Sequence, residues 1–541
     1  QNLIEMGQES STYDEVAHLP AGYTYVVKRD FRLNPEHPPL LKVLSALPLL
    51  ALHPQVDFND PNWSLPPKEY AFGAHFLYSN PPRQADRLLF WGRLPVLAIA
   101  VLLGLFIFRW SQQMYGNMAG LFAVSLFAFS PNLIAHSHLV TTDIGVTAFL
   151  TMTFYFLWRY SCSREKSGLY WAALAMGAAL ASKFSAVVLL PVAVGLLWVT
   201  HSSRALESTS AKATPPGTKP KKIPQAKPGG ALKERGRAHP SQGKSTTSSI
   251  RVNGSKIVAI LVFVVIASIV TQLSYVGSLD PSLYFKGLEQ VNRNHRPDFL
   301  YYLHGALKAG GWWYYFLIVF LVKASAPFIL LVIARIVFFF KNWRNEWKMA
   351  SFLILPAVIF FGATSALADP LGVRYLLPLF PFLMVFSSGL IRFLSGKKVI
   401  VWMLWSLLGW HVVSSLASFP NHLSYFNEFV GGPSHGTEWL DDSNVDWGQG
   451  LKELKQTLDQ RGIQTVTLLS FSAYDNPEYY GIHCIRPPQD EWMAILSNPQ
   501  PGMYAISAHW LARAKGLGYD WKKKFPISAD IGNSIYLFKV S

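Results

Sequence analysis

The feature that most constrains this chain is a series of long apolar runs, at residues 88–110, 118–133, 140–160, 169–182, 185–200, 257–275, 313–340, 349–367, 373–394 and 399–419. A bilayer core of about 30 Å needs about 20 apolar residues of helix, because no water is there to satisfy an exposed backbone. The runs predict a polytopic α-helical membrane protein with about ten spans. Charged residues make up only 15% of the 541, against about 25% in soluble domains, so the length does not read as a string of soluble domains. The fourth and fifth runs are short and meet at Lys183, which suits either two crossings or one re-entrant pair.

Orientation follows from the short connections. Those at 109–117, 160–167, 341–348 and 396–398 carry Arg109, Arg164, Lys166, Lys341, Arg344, Lys348, Lys397 and Lys398 within them. By the positive-inside rule these face the cytoplasm. The N-terminal stretch, residues 136–142, 277–311 and 368–372, and everything after Pro420 then face outward. The chain opens on Gln1 and enters a polar loop directly, which points to a preceding span and a total of about eleven.

Five regions result: an outer loop with juxtamembrane helices (1–87), a first part of the bundle (88–200), a linker (201–252), a second part of the bundle (253–419) and a small extracytoplasmic α/β domain (420–541). The linker is rich in Pro, Gly, Ser, Thr and Lys. Its 11 Lys/Arg against two acids give +9 of the chain's formal +16. The basic balance is thus mostly that of one cytoplasmic segment, expected to be disordered, with anionic lipid headgroups as the alternative reading. Nothing resembles a nucleic-acid-binding module. Cys162 and Cys484 fall on opposite sides of the membrane in this topology, which excludes a disulfide between them.

Candidate chemistry lies in polar residues that a membrane protein normally avoids. The first outer loop holds Asp14, Glu15 and His18, then Glu36 and His37. A carboxylate beside apolar surface suits general-base work. Asp14 as a helix N-cap with Glu15 in the first turn is the structural alternative. Asp143 lies at the outer mouth of its span, where an N-cap role is again open. His136 and His138 could supply two imidazoles to a metal, but no clear third ligand accompanies them, so no metal is assigned. Four cations sit inside or at the ends of spans: Arg93, about 8 Å below the outer end of its run, Lys183, Lys323 and Arg374. Each costs a few kcal/mol without a partner, and one bound phosphate in the outer half of the membrane would account for several together. Trp312 and Trp313 mark where an outer loop enters a span, as an aromatic belt or as a platform for a sugar or lipid tail.

After Pro420 the pattern changes. Tyr425 and the acids Asp441, Asp442 and Asp446 precede a helical run at 451–460 and strand-like runs at 465–471, 503–507 and 534–539. The three acids lack EF-hand spacing and read as a structural loop.

Asp14-Glu15, the 34–40 run, His138 to Asp143, Gly311 to Phe316 with Lys323, and the 373–382 run occur in an order that resembles the phospholipid-carrier-dependent glycosyltransferases of the GT-C superfamily, relatives of the protein O-mannosyltransferases. Residues 421–449 look like the outer domain of bacterial members, and the basic insertion is a departure. The resemblance implies a GT-C-like transmembrane bundle in a bacterial inner membrane. It also implies an inverting transferase that moves a sugar from a polyprenyl-phosphate to an acceptor hydroxyl on the outer side. On that basis Asp14 is the base, with Glu15 and Asp143 as the accompanying acids. Arg93, Lys183 and Arg374 hold the carrier phosphate. Lys323 is added to them from its depth, and substrate contacts are expected from His18, His37, Trp312, Trp313 and Tyr425. The leaving phosphate needs cations rather than a general acid, and this scheme requires no cofactor. Partners are the lipid-linked donor, membrane lipids and an acceptor whose class stays open. A lipid transporter or flippase is the alternative, since it too would place cations within the membrane.

Overall fold

The computed structural model describes residues 1–64, 68–79, 84–202, 248–295, 298–394 and 396–541. It is mostly helical. Among the described residues, four helices are long and apolar enough to cross a membrane: Gln84–Tyr115, Gly254–Leu273, Ala326–Leu367 and Lys398–Ser418. Shorter apolar helices pack with them, including Asn117–Ala128 and Leu379–Phe393. On the second of the four, Val258, Leu261, Val265 and Ile269 are each more than half exposed. Their spacing puts them on one face, and an exposed apolar stripe of that length is stable only against lipid. The chain is an integral membrane protein.

Several apolar runs divide differently from the sequence expectation. Run 118–133 breaks at Ser130-Pro131 into Asn117–Ala128 and Pro131–His136, since proline cannot continue the hydrogen-bond ladder of the preceding turn. Run 313–340 breaks after Lys323, where Ser325 caps the next helix and contacts the His411 ring. The expected loop at 341–348 is helical throughout, within Ala326–Leu367. A straight helix of those 42 residues would be about 63 Å long. Yet Lys323 before it and Val373 after it both bond Asn444, and Arg335 forms an ion pair with Glu346 eleven positions on. The helix therefore reverses direction between Arg335 and Glu346, and its two legs run side by side. Most of the expected linker lies outside the described residues, and its last positions already belong to the Ser248–Leu273 helix.

The N-terminal region forms a helical layer. Thr12 begins the Tyr13–Lys28 helix, and the Glu15 carboxylate accepts from the Thr12 backbone N–H (2.9 Å) and hydroxyl (3.0 Å), a capping-box arrangement. Helix Leu40–Ala46 crosses close to it at Gly22, where a Cβ would lie 2.0 Å from the Lys42 carbonyl oxygen. Residues 277–311 contain a hairpin that the sequence reading did not anticipate, β1 (Leu300–Leu303) and β2 (Ala306–Ala309), joined by His304-Gly305. Both turn residues have positive φ, the geometry that a two-residue hairpin favours.

The C-terminal region holds helix Leu451–Gln460 and a five-stranded sheet of β3 (Val466–Leu469), β4 (Cys484–Ile485), β5 (Gly502–Ser507), β6 (Ile527–Ile531) and β7 (Ile535–Val540), in the order β4-β3-β5-β7-β6. β3 pairs parallel with β4 and β5, while β7 pairs antiparallel with β5 and β6. Residues 421–449 are not part of this sheet. They pack instead on the helices and on the N-terminal segment, through the Ser10 N–H to Gln449 and the Tyr13 N–H to Trp447.

Gly22→Ala should destabilise the folded protein by at least about 1–3 kcal/mol, because the added methyl meets backbone rather than a movable side chain. The unfolding midpoint of the purified variant in detergent reads this out. An unchanged midpoint would mean that the two helices do not approach there.

Candidate functional site

Helix Tyr13–Lys28 is amphipolar at its start, and its first turn presents Asp14 and Glu15 in different directions. Glu15 points inward and is fully buried. It receives the Arg93 guanidinium through Nε (2.8 Å) and Nη2 (2.7 Å), together with the Val140 backbone N–H at 3.0 Å. The remaining Arg93 donors bond the carbonyls of Met6 and Ser10. Arg93, expected as a phosphate ligand, and Glu15, expected as an accompanying acid, thus engage each other in this structure. Both are buried and mutually neutralised, and together they join the outer loop, the first long helix and the 138–143 loop.

Asp14 lies on the opposite side of the turn and pairs with Arg374, Nη1 to Oδ2 at 2.6 Å. Thr12, not Asp14, is the cap of that helix, and Thr142 takes the corresponding place before Asp143. Asp143 accepts from the Lys183 ammonium at 2.6 Å. The two pairs are neighbours. The Lys183 ammonium lies 4.5 Å from the Tyr375 ring centroid and the Arg374 guanidinium 5.4 Å from it. The other flank of Arg374 rests on the Trp447 ring at 4.6 Å. Arg374 Nε is buried and has no hydrogen-bond partner. The fold thus brings together Asp14, Asp143, Lys183 and Arg374 from four distant parts of the chain.

His18 and His37 join this group. Their rings meet edge to face at 5.3 Å, and His18 Nδ1 contacts the Val140 carbonyl at 3.0 Å. His37 also lines an outer cavity of about 620 Å³. That cavity is walled by Tyr25, Phe31 and Tyr275 and carries Lys28, Arg29, Arg32 and Lys286 beside Asp30 and Asp280.

Four expected residues lie elsewhere. Lys323 is fully buried and bonds the carbonyls of Leu423 (2.9 Å) and Asn444 (2.7 Å), with the Phe426 ring below it. It anchors the 421–449 stretch to the helices. Tyr425 is buried as well. Trp313 is 81% exposed, and Trp312 beside it is half-buried on the rim, where Gly311 packs on Pro370.

The sequence reading missed Tyr375 and Trp447, and it took Asp442 as part of a structural loop. Asp442 is half-buried, and partial burial raises its carboxyl pKa while Arg374 lowers it. The adjacent Asp441-Asp442 pair was the available signal. Asp441 itself is held by Arg513 at 3.0 Å, and Asp446 accepts from the Ser507 hydroxyl and the Gly448 N–H, so these two do serve the loop's structure.

Burial lowers the His18 imidazole to about 4, with Asp14 acting in the opposite direction and Lys42 adding to the effect. The unfolded chain therefore takes up this proton first. The stability linked to His18 is complete above about pH 6.5, is lost as pH falls toward 4, and is level below that. The span corresponds to about 3 kcal/mol. His18→Gln should flatten the fall of the unfolding midpoint between those limits, and a profile identical to wild type would show that His18 does not carry it.

Comparison with known proteins extends this picture. The family model for dolichyl-phosphate-mannose-protein mannosyltransferase matches residues 87–214, which include Arg93, Asp143 and Lys183. No curated protein matches by sequence. Among solved structures, ArnT from Cupriavidus metallidurans in the apo state is similar over 99% of this chain and 95% of its own, with a TM-score of 0.47 and 12% identity. The same protein bound to undecaprenyl phosphate gives 0.45 and 11% over the same shares. The apo oligosaccharyltransferase of Archaeoglobus fulgidus gives 0.41 and 11%, covering 94% of this chain and 68% of that one. Over residues 87–214 the chain matches a glycosyltransferase family whose name specifies a lipid-phosphate-linked sugar donor, the relationship that the sequence motifs implied.

Proposed function

We propose that this protein is an inverting glycosyltransferase that moves a sugar from a polyprenyl-phosphate carrier to an acceptor hydroxyl, at the outer face of a bacterial inner membrane. The topology in this reading is the ten-span one with the N-terminal loop and residues 420–541 outside. The observation that carries it is the paired arrangement of Asp14–Arg374 and Asp143–Lys183 around Tyr375. Two acids and two cations at one mouth of a helical bundle supply a proton acceptor and an anion site side by side.

Asp14 is the general base in this scheme. It accepts the hydroxyl proton as the acceptor oxygen attacks the anomeric carbon. The bond from that carbon to the phosphate oxygen breaks, and the carrier phosphate leaves as an anion. Arg374 has an unpartnered Nε directed away from Asp14's contact, and a guanidinium can bind a phosphate oxygen there while Nη1 keeps Asp14 in place. Lys183 adds a second charge from the Asp143 side. His37 links this group to the outer cavity, which is large enough for part of an acceptor.

Asp14→Asn should lower turnover by about a hundredfold or more while leaving donor binding largely intact. Arg374→Ala should weaken both the donor and the competition by free polyprenyl phosphate, and Arg374→Lys should restore only part, because a point charge does not reproduce the planar fork. The assay is transfer of a radiolabelled sugar from the lipid carrier in proteoliposomes, with transbilayer movement of the same lipid followed in parallel. Near-normal turnover in Asp14→Asn would remove the base assignment. Lipid movement without transfer to any acceptor would favour a transporter.

A further inference from the structure

Behind the Asp14 turn lies a second polar cluster that the transfer scheme does not use. The short helix Asn2–Gln8 carries Glu5, and Glu9 follows at its C-terminal end. Their i, i+4 spacing sets the two carboxylates on one face, an arrangement that is unfavourable unless a positive charge lies between them. The nearest guanidinium, that of Arg93, is already engaged by Glu15 and the carbonyls of Met6 and Ser10. Facing the two acids is His138, from the second outer loop. One oxygen from each carboxylate and one His138 nitrogen lie within 4.8 Å of one another.

Three details distinguish this cluster from an ordinary ion pair. Glu5 is completely buried, and its Oε2 has no hydrogen-bond partner. The His138 ring is oriented by its other nitrogen, since Nδ1 lies 2.8 Å from Asn2 Oδ1, so an Nδ1–H donated there leaves the Nε2 lone pair facing the acids. His422 Nδ1 meets Glu5 Oε1 at 2.7 Å from outside the group and its Nε2 lies 3.0 Å from the Ser415 carbonyl, so the ring is fixed beside Oε1 and leaves Oε2 to face elsewhere. A ring nitrogen steered by a second hydrogen bond and a carboxylate held by a neighbouring imidazole are the supports that metal ligands require.

We infer that Glu5, Glu9 and His138 form a binding site for a divalent cation of the zinc type, which ties the N-terminal helix to the second outer loop. One imidazole and two carboxylates suit Zn²⁺, with a water as fourth ligand. In a tetrahedral site, bonds of about 2.0 Å set ligand atoms about 3.3 Å apart. Glu9 Oε2 and His138 Nε2, now 2.8 Å apart, would open slightly, and the wider separations, up to 4.8 Å, would close. The site is a structural one. It holds the segment whose Met6 and Ser10 carbonyls bind Arg93, and Arg93 in turn holds Glu15 beside Asp14.

The test uses the full chain in detergent, with any affinity tag removed, stripped by chelator and then returned to chelator-free buffer. Zn²⁺ is titrated against bound metal and the unfolding midpoint, and Co²⁺ against its visible absorption. The expected result is about one Zn²⁺ per chain with a rise in midpoint, and a Co²⁺ spectrum of a nitrogen- and oxygen-liganded tetrahedral site. Glu9→Gln and His138→Gln should each abolish both, while His422→Gln should weaken Zn²⁺ by about tenfold or more. Wild-type protein that takes up no Zn²⁺ and shows no change in midpoint overturns the inference, and leaves His138 as a hydrogen-bond partner of Glu9 alone. Preference for Ca²⁺ or Mg²⁺ overturns the zinc assignment, and full Zn²⁺ binding by both ligand variants places the metal elsewhere. These readouts do not depend on sugar transfer, so they fail or succeed independently of the proposed reaction.

Discussion

The rest of the outer site depends on one buried ion pair, Arg93 with Glu15. Neither side chain is exposed, and the guanidinium meets the carboxylate through two nitrogens. Burying such a pair brings little net stability, because the desolvation of both charges offsets their attraction. Removing one partner is another matter and costs about 3–5 kcal/mol. The value of the pair is therefore geometric. Its surplus donors and acceptors reach Met6, Ser10, Thr12 and Val140, so a single polar knot sets the N-terminal segment, the first turn of its helix and the second outer loop in register.

A second constraint is charge balance. Every cation singled out in the spans has found compensation in the structure, though of different kinds. Arg93, Arg374 and Lys183 each meet a carboxylate, while Lys323 is solvated by two backbone carbonyls and an aromatic face. They differ also in how fully their donors are engaged. Arg93 and Lys323 are fully buried, and backbone carbonyls take donors of both. Arg374 retains an unpartnered nitrogen, and it sits among aromatic rings, which do not compete for its hydrogen bonds.

What was legible in the sequence was what is local. Hydrophobic length marks a membrane helix without knowledge of its neighbours, and the 451–460 helix and three of the five C-terminal strands showed in their own periodicity. The strand pair that escaped has physical reasons. β4 is two residues long, and β6 is interrupted by a register shift near Ala529, so neither displays a full alternation. Asp14, Asp143, Lys183 and Arg374 were legible as unusual residues, but not as pairs. Arg374 and Asp14 are 360 positions apart, and only the tertiary fold decides that Arg93 turns toward Glu15 while Arg374 turns toward Asp14. The helical reversal between Arg335 and Glu346 was hidden for the opposite reason: the charged stretch there looks like a loop, yet its Lys341, Arg344, Glu346 and Lys348 are themselves good helix formers.

That reversal has a mechanical consequence. Asn444 bonds the Lys323 ammonium through its backbone carbonyl and the Val373 N–H through its side chain, so it spans the two open ends of the hairpin. Gly372, at φ +129°, lets the Asn444 amide lie where a Cβ would be only 2.7 Å away. The hairpin and Asn444 thus make a closed frame: pinned at its apex by Arg335 and Glu346, and bolted shut across its mouth. Sliding one leg past the other would break the bolt and the pin together. Arg374 and Tyr375 are mounted at the corner of that frame, and their position relative to the membrane is fixed by a truss rather than by a single helix end.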